Sequence, residues 1–161
     1  MGTGKTASGI IIAAELSRIL IDTDQVIEEE NGSTISQIFA EKGEAYFRDQ
    51  ESALIAGLGR YPSGSLVIAA GGGTVLREEN MKMLSEKGLI ILLTASPEAI
   101  LQRISKTDQR PLLAGAGTAE KIKAKLLERE QYYCHYSFRI DTTGLTPKQV
   151  ARKIIAYLNS F

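Results

Sequence analysis

The run Gly2-Thr3-Gly4-Lys5-Thr6-Ala7 constrains this chain more than any other stretch. Gly4-Lys5-Thr6 is the back half of a phosphate-binding loop, GxxxxGK[ST], which joins a strand to a helix. Gly2 and Gly4 let the backbone curl, so that successive N–H groups face phosphate oxygens. Lys5 is a mobile point charge that reaches the β- and γ-phosphates. The Thr6 hydroxyl is of the kind that holds Mg²⁺. A helix is expected next, through the apolar residues 10–14, with its positive end aimed at the anion. The pattern's first glycine belongs five residues before Gly4, ahead of Met1, and so does the strand that the loop requires. The expectation is a sheet whose first strand is missing or truncated in this chain.

Downstream, short apolar runs alternate with helical patterns. Residues 19–21, 66–70, 89–93 and 138–141 read as buried strands. Helices are expected over 24–30, 33–42 (capped by Ser33), 44–58, 78–86, 97–104 and 119–131. A last one starts at Pro147, with Val150, Ile154, Ile155 and Leu158 on one face. Residues 106–117 carry Pro111, Gly115 and Gly117 without apolar periodicity, and read as a loop. Strands alternating with helices imply a three-layer α/β/α fold on a mostly parallel sheet. At 161 residues the chain suits a single domain, 1–161.

Composition narrows the partners. Nineteen Lys and Arg balance nineteen Asp and Glu, so there is no basic footprint for nucleic acid or an anionic membrane. No apolar run reaches transmembrane length. The one cysteine, Cys134, excludes a disulfide framework and fits a reducing, cytoplasmic setting. The one histidine, His135, has no second ligand at metal spacing.

In a parallel α/β sheet, ligands bind outside the carboxyl ends of the strands. Three polar features belong there: the GTGKT loop, Asp22-x-Asp24, and Gly71-Gly72-Gly73. Two carboxylates two residues apart can divide labour, one facing a metal and the other taking a proton from a hydroxyl. The alternative is that Asp24 only caps the next helix. Three glycines after a strand are either a flexible turn or a surface on which a substrate lies against backbone N–H groups. Arg48 is either an i,i+3 partner of Glu51 or a fork for a substrate carboxylate. Arg110 is either solvated or the charge that closes over a γ-phosphate. Arg103 is either a surface charge or a plane that stacks on a base.

The motifs MGTGKTASG, LIDTDQVIE, GEAYFRDQE, IAAGGGTVL, RPLLAG and RIDTTGLTP occur in this order. With them the whole chain resembles the shikimate kinase family. The resemblance implies a nucleoside-monophosphate-kinase-like fold, five-stranded in the family. It also implies transfer of the γ-phosphoryl of ATP to the 3-hydroxyl of shikimate, on the chorismate route to aromatic amino acids. By that resemblance Gly2, Thr3, Gly4, Lys5, Thr6 and Ala7 hold the ATP phosphates, with Thr6 and Asp22 at Mg²⁺. Asp24 activates the shikimate hydroxyl, and Lys5, Asp24 and Arg110 form the catalytic set. Arg48, buttressed by Glu51, grips the carboxylate, and Gly71, Gly72 and Gly73 line the ring. Arg103 stacks on adenine, and Arg110 belongs to the lid. Residues 24–60 become the substrate-binding subdomain and 106–117 the lid.

One departure stands out. The family has a second carboxylate-gripping arginine after a tyrosine in the helix following the lid. Aligned through Glu128-Arg129 and Tyr133, that position is Cys134, with His135 next to it. Loss of one charge-assisted bond implies roughly ten- to hundredfold weaker shikimate binding. The expected enzyme is a monomer acting on a small molecule. Its rivals are a kinase for another polyol such as gluconate, and a non-catalytic nucleotide-binding relative.

Overall fold

The computed structural model describes residues 2–105, 118–133 and 136–160. Helix α1 (Lys5–Glu15) follows Gly4 directly and buries Ser8, Gly9, Ile12 and Ala13. Strand β1 (Ile19–Asp22) leads into α2 (Thr23–Asn31), which Gly32 ends in the left-handed region at φ 60°. The span α3 (Ile35–Gly57) is two helices run together across a break at Gly43, whose φ 83° and ψ 164° are not helical, in keeping with the two helices expected there. Its cap is Thr34 rather than the expected Ser33. Thr34 and Gln37 exchange side-chain and backbone hydrogen bonds as a capping box.

Strand β2 (Leu66–Ala69), α4 (Glu78–Lys87), β3 (Ile91–Thr94) and α5 (Pro97–Ser105) follow. A 3-10 turn over Thr74–Leu76, absent from the sequence expectation, separates β2 from α4. Helix α6 (Thr118–Glu130), β4 (Phe138–Asp141) and α7 (Pro147–Leu158) complete the described chain. Thr146 and Gln149 form a second capping box at α7, with Pro147 in its first turn.

Both strand pairs are parallel, β1 with β2 (Ile19 opposite Leu66, Asp22 opposite Ala69) and β3 with β4 (Ile91 opposite Phe138, Thr94 opposite Asp141). The α/β architecture is the expected one. Among the described residues, however, the four strands form two separate pairs and not one continuous ladder. What unites them is a shared core. Ile12 of α1 and Val150, Ala151 and Ile154 of α7 pack with Ile140 and against Val67 of β2 and Ile91 and Leu93 of β3. Burying such side chains contributes roughly 1.5–3 kcal/mol each, so this one layer fastens both pairs.

The two pairs also end at the same place. The Thr23 hydroxyl accepts from the Gly71 N–H at 2.9 Å, joining the ends of β1 and β2. The buried Thr142 hydroxyl lies 2.9 Å from the Thr94 carbonyl and 3.1 Å from the Thr3 carbonyl, joining β3 and β4 to the phosphate loop. A cavity of about 380 Å³ opens below that junction, lined in part by residues 90–95. Side chains alternate faces along a strand. A run of consecutive lining residues therefore means that one edge of β3, unpaired among the described residues, opens into the cavity.

Candidate active site

The loop supplies the first wall. Gly4 has φ 90°, a conformation that a residue with a Cβ rarely adopts, and α1 begins at the next residue. The Ser8 hydroxyl donates to the Gly4 carbonyl at 2.7 Å and fixes the turn from below. Lys5 and Thr3 line the cavity together with Gly71, Gly72 and Thr74. The loop and the glycine triplet thus face one space.

Asp22 sits between the loop and α2, and its two oxygens do different things. Oδ2 accepts the Thr6 hydroxyl at 2.5 Å. Oδ1 accepts the backbone N–H groups of Asp24 (3.1 Å) and Gln25 (3.3 Å), which makes Asp22 the cap of α2. The alternative that Asp24 is the cap is therefore set aside. Asp24 occupies the first turn, where the helix dipole favours a carboxylate. A Cβ added to Gly71 would stand 2.6 Å from Asp24 Oδ1 and 2.8 Å from Glu51 Oε1. Gly71 is glycine here because those carboxylates occupy the space that a side chain would need.

Arg48 projects from α3 toward the same triplet. Its Nη1 donates to Glu51 Oε2 at 2.8 Å, while Nη2 and Nε donate to Glu44 Oε1 at 2.9 and 3.2 Å. The guanidinium lies against Gly73, where an added Cβ would come within 2.5 Å of Arg48 Cζ. The Glu51 pair is no surface i,i+3 contact, because Glu51 is 0% exposed. Its second oxygen accepts the Thr74 hydroxyl at 2.5 Å. Burial works to lower the Arg48 pKa, but the hydrogen bonds and charges of Glu51 and Glu44 outweigh it, so the group titrates above its ordinary value.

Two contacts were not legible beforehand. Arg77, just after the 3-10 turn, donates to the Arg48 carbonyl (3.1 Å), Ser52 (3.0 Å) and Asp49 (2.6 Å), holding α3 from outside. The Tyr133 hydroxyl donates to the Gly72 carbonyl at 3.2 Å and seats the end of α6 over the triplet. Arg129, partly buried, stands one turn ahead of that contact.

Arg103 is not a surface charge. It donates to the Gly2 carbonyl (3.2 Å) and to the Thr142 carbonyl (2.5 Å), bracing the start of the loop against the end of β4. Arg110, Cys134 and His135 lie outside the described residues, as does the expected lid over 106–117.

This fold is that of a P-loop small-molecule kinase. A deoxyadenosine kinase from M. mycoides with bound dCTP shares it at TM-score 0.63 and 15% identity, a likeness of fold alone. The sequence profile described as shikimate kinase matches residues 1–159, and the chain belongs to the shikimate kinase family. The shikimate kinase of Thermodesulfovibrio yellowstonii is 46% identical over 155 residues, covering 96% of this chain and 88% of that protein. That of Pelotomaculum thermopropionicum is 44% identical over 158 residues, covering 98% and 91%. Shikimate kinase from Acinetobacter baumannii in complex with shikimate superposes at TM-score 0.90 with 32% identity, covering 99% of this chain and 89% of that one.

Proposed function

We propose that this chain transfers the γ-phosphoryl group of ATP to the 3-hydroxyl of shikimate. The observation that carries the reading is Asp24 against Gly71, in a site where Lys5, Gly71 and Gly72 line one cavity. Lys5 and the loop amides of Gly2, Thr3, Gly4, Thr6 and Ala7 hold the triphosphate. Asp24 orients the hydroxyl and takes its proton as the bond to phosphorus forms. Arg48 and the backbone of Gly71, Gly72 and Gly73 seat the acid. Arg110, which lies outside the described residues, is the charge this reading assigns to the γ-phosphate. Arg103 borders the loop where adenine would lie.

Mg²⁺ fits this site. Thr6 and Asp22 already share a hydrogen bond, so a hydroxyl and a carboxylate of suitable type stand side by side. Among the described residues there is no cluster of three or more protein ligands. Thr6 and Asp22 would hold the ion, and it would supply charge neutralisation on the phosphates.

Arg129, and not residue 134, is the second cation for the substrate carboxylate in this reading. Arg48 is already flanked by Glu44 and Glu51, so that cluster is net negative before an anion arrives. A further carboxylate calls for another positive charge, and Arg129 lies four residues before Tyr133, whose hydroxyl donates to the Gly72 carbonyl. The single cysteine supports a reducing cytoplasm.

The test is a panel of hydroxy acids with Mg²⁺-ATP, followed by ADP release. Shikimate should exceed gluconate by at least about a hundredfold in kcat/KM, the scale of a site built to pair a buried polar group. Faster turnover of gluconate would hand the site to the polyol-kinase alternative.

A further inference from the structure

Three polar side chains form a closed relay beneath the glycine triplet. The Gly71 carbonyl accepts the Thr74 N–H at 3.1 Å, which closes the turn. That turn delivers the Thr74 hydroxyl to Glu51 Oε1 at 2.5 Å. Glu51 Oε2 then accepts Arg48 Nη1 at 2.8 Å. Glu51 is 0% exposed and Thr74 1%.

A buried carboxylate is tolerated only when it is paired and its remaining lone pairs are met. Arg48 meets one oxygen and Thr74 meets the other. With both oxygens held, the carboxylate plane has no freedom to rotate, and neither does the guanidinium that it carries. On the other side the Gly71 N–H donates to Thr23, the residue before Asp24. The turn therefore touches both the group that would hold the substrate carboxylate and the helix that bears the proton acceptor.

We propose that Thr74 is a positioning residue, whose hydroxyl fixes the angle of the Arg48 guanidinium through Glu51 and so sets the preference for a substrate bearing a carboxylate. This rests on the shikimate reading of the site. Thr74 touches no reacting atom in it; its effect reaches the substrate only through Arg48.

The experiment compares Thr74→Val and Thr74→Ser with the parent chain, using shikimate and its methyl ester. Thr74→Val should raise KM for shikimate about tenfold, the scale of leaving one buried acceptor unmet. Its kcat should stay within about twofold and KM for ATP unchanged. The preference for the acid over the ester should fall about tenfold, and Thr74→Ser should restore it. An unchanged KM, or equal losses on acid and ester, overturns the relay. An independent arm follows exchange of the Arg48 Nη1–H, the donor to Glu51, by ¹⁵N NMR without substrate. Exchange should quicken at least about tenfold in Thr74→Val and not in Thr74→Ser, and equal rates in all three overturn the proposal. If the parent chain ignores shikimate, the shikimate reading fails on its own and the exchange arm still judges Thr74. Should Thr74→Val fail to fold, Thr74→Ala replaces it in both arms.

Discussion

The Thr6 hydroxyl donates to Asp22 across 2.5 Å, while the other oxygen of Asp22 caps α2. One carboxylate thus ties the phosphate loop to the helix that carries Asp24. Asn is as good a helix cap as Asp, so Asp22→Asn should keep the cap and lose the charge together with the acceptor for the Thr6 hydroxyl. Its melting temperature should stay within a few degrees of the parent. The Mg²⁺ concentration for half-maximal activity should rise roughly tenfold or more, as for loss of a charged partner. A large drop in melting temperature with an unchanged Mg²⁺ requirement would mean that Asp22 is a cap and nothing more.

Asp22 does the capping of α2, and in the proposed reaction Asp24 takes the proton of the hydroxyl. Asp24→Asn should lower kcat by about 10²–10⁴, the range for a general base, with little effect on ATP affinity. Thermal melting checks the premise. If stability falls in step with activity, the residue is structural.

Arg48 and Glu51 are bound to each other's fate. Arg48→Met leaves Glu51 buried beside Thr74 with its charge unmatched, at a cost of about 3–5 kcal/mol in chemical denaturation. The double change Arg48→Met with Glu51→Leu should recover most of that stability and none of the shikimate binding. A double variant as unstable as the single one would show that burial of the lone carboxylate was not the cause.

Much of this was legible in the sequence, for identifiable reasons. The four described strands are short apolar runs bounded by polar or glycine residues, and each was placed to within two or three residues. Strand β3 starts at Ile91 rather than 89 because Leu89 is 49% exposed and outside the β4 pairing. Gly43 marked the break between two helices correctly, since its φ and ψ are not helical. Local pattern did not show which of two neighbouring polar residues caps a helix, as with Ser33 and Thr34 or Asp22 and Asp24. That is settled by which side chain reaches the N2 or N3 amide. Contacts between distant segments, such as Thr74 with Glu51, Arg77 with Asp49 and Tyr133 with Gly72, have no local signature at all.

The two positions offered for the second carboxylate grip give opposite outcomes. Arg129→Met should raise KM for shikimate roughly ten- to hundredfold with KM for ATP unchanged, the effect of one lost charge-assisted bond. Cys134→Arg should leave KM for shikimate where it is. The reverse pair of results would return the role to residue 134.

Acid should loosen the end of β4. The Thr143 backbone N–H, and then its hydroxyl, hold the exposed Asp141 carboxyl below its ordinary range. The folded pKa therefore lies under the unfolded one of about 3.9. The contribution to stability is present above that value and is lost as pH falls through the folded pKa. Melting of Asp141→Asn should show a shallower loss than the parent below about pH 4. A carboxyl titration by NMR at or above the ordinary value would contradict this.

The most direct measurement is ³¹P NMR of the product formed from ATP and shikimate by the full chain with Mg²⁺. The result expected is one new phosphomonoester on the 3-hydroxyl for each ADP released. ADP accompanied only by inorganic phosphate, or no ADP at saturating concentrations of both substrates, would contradict the account.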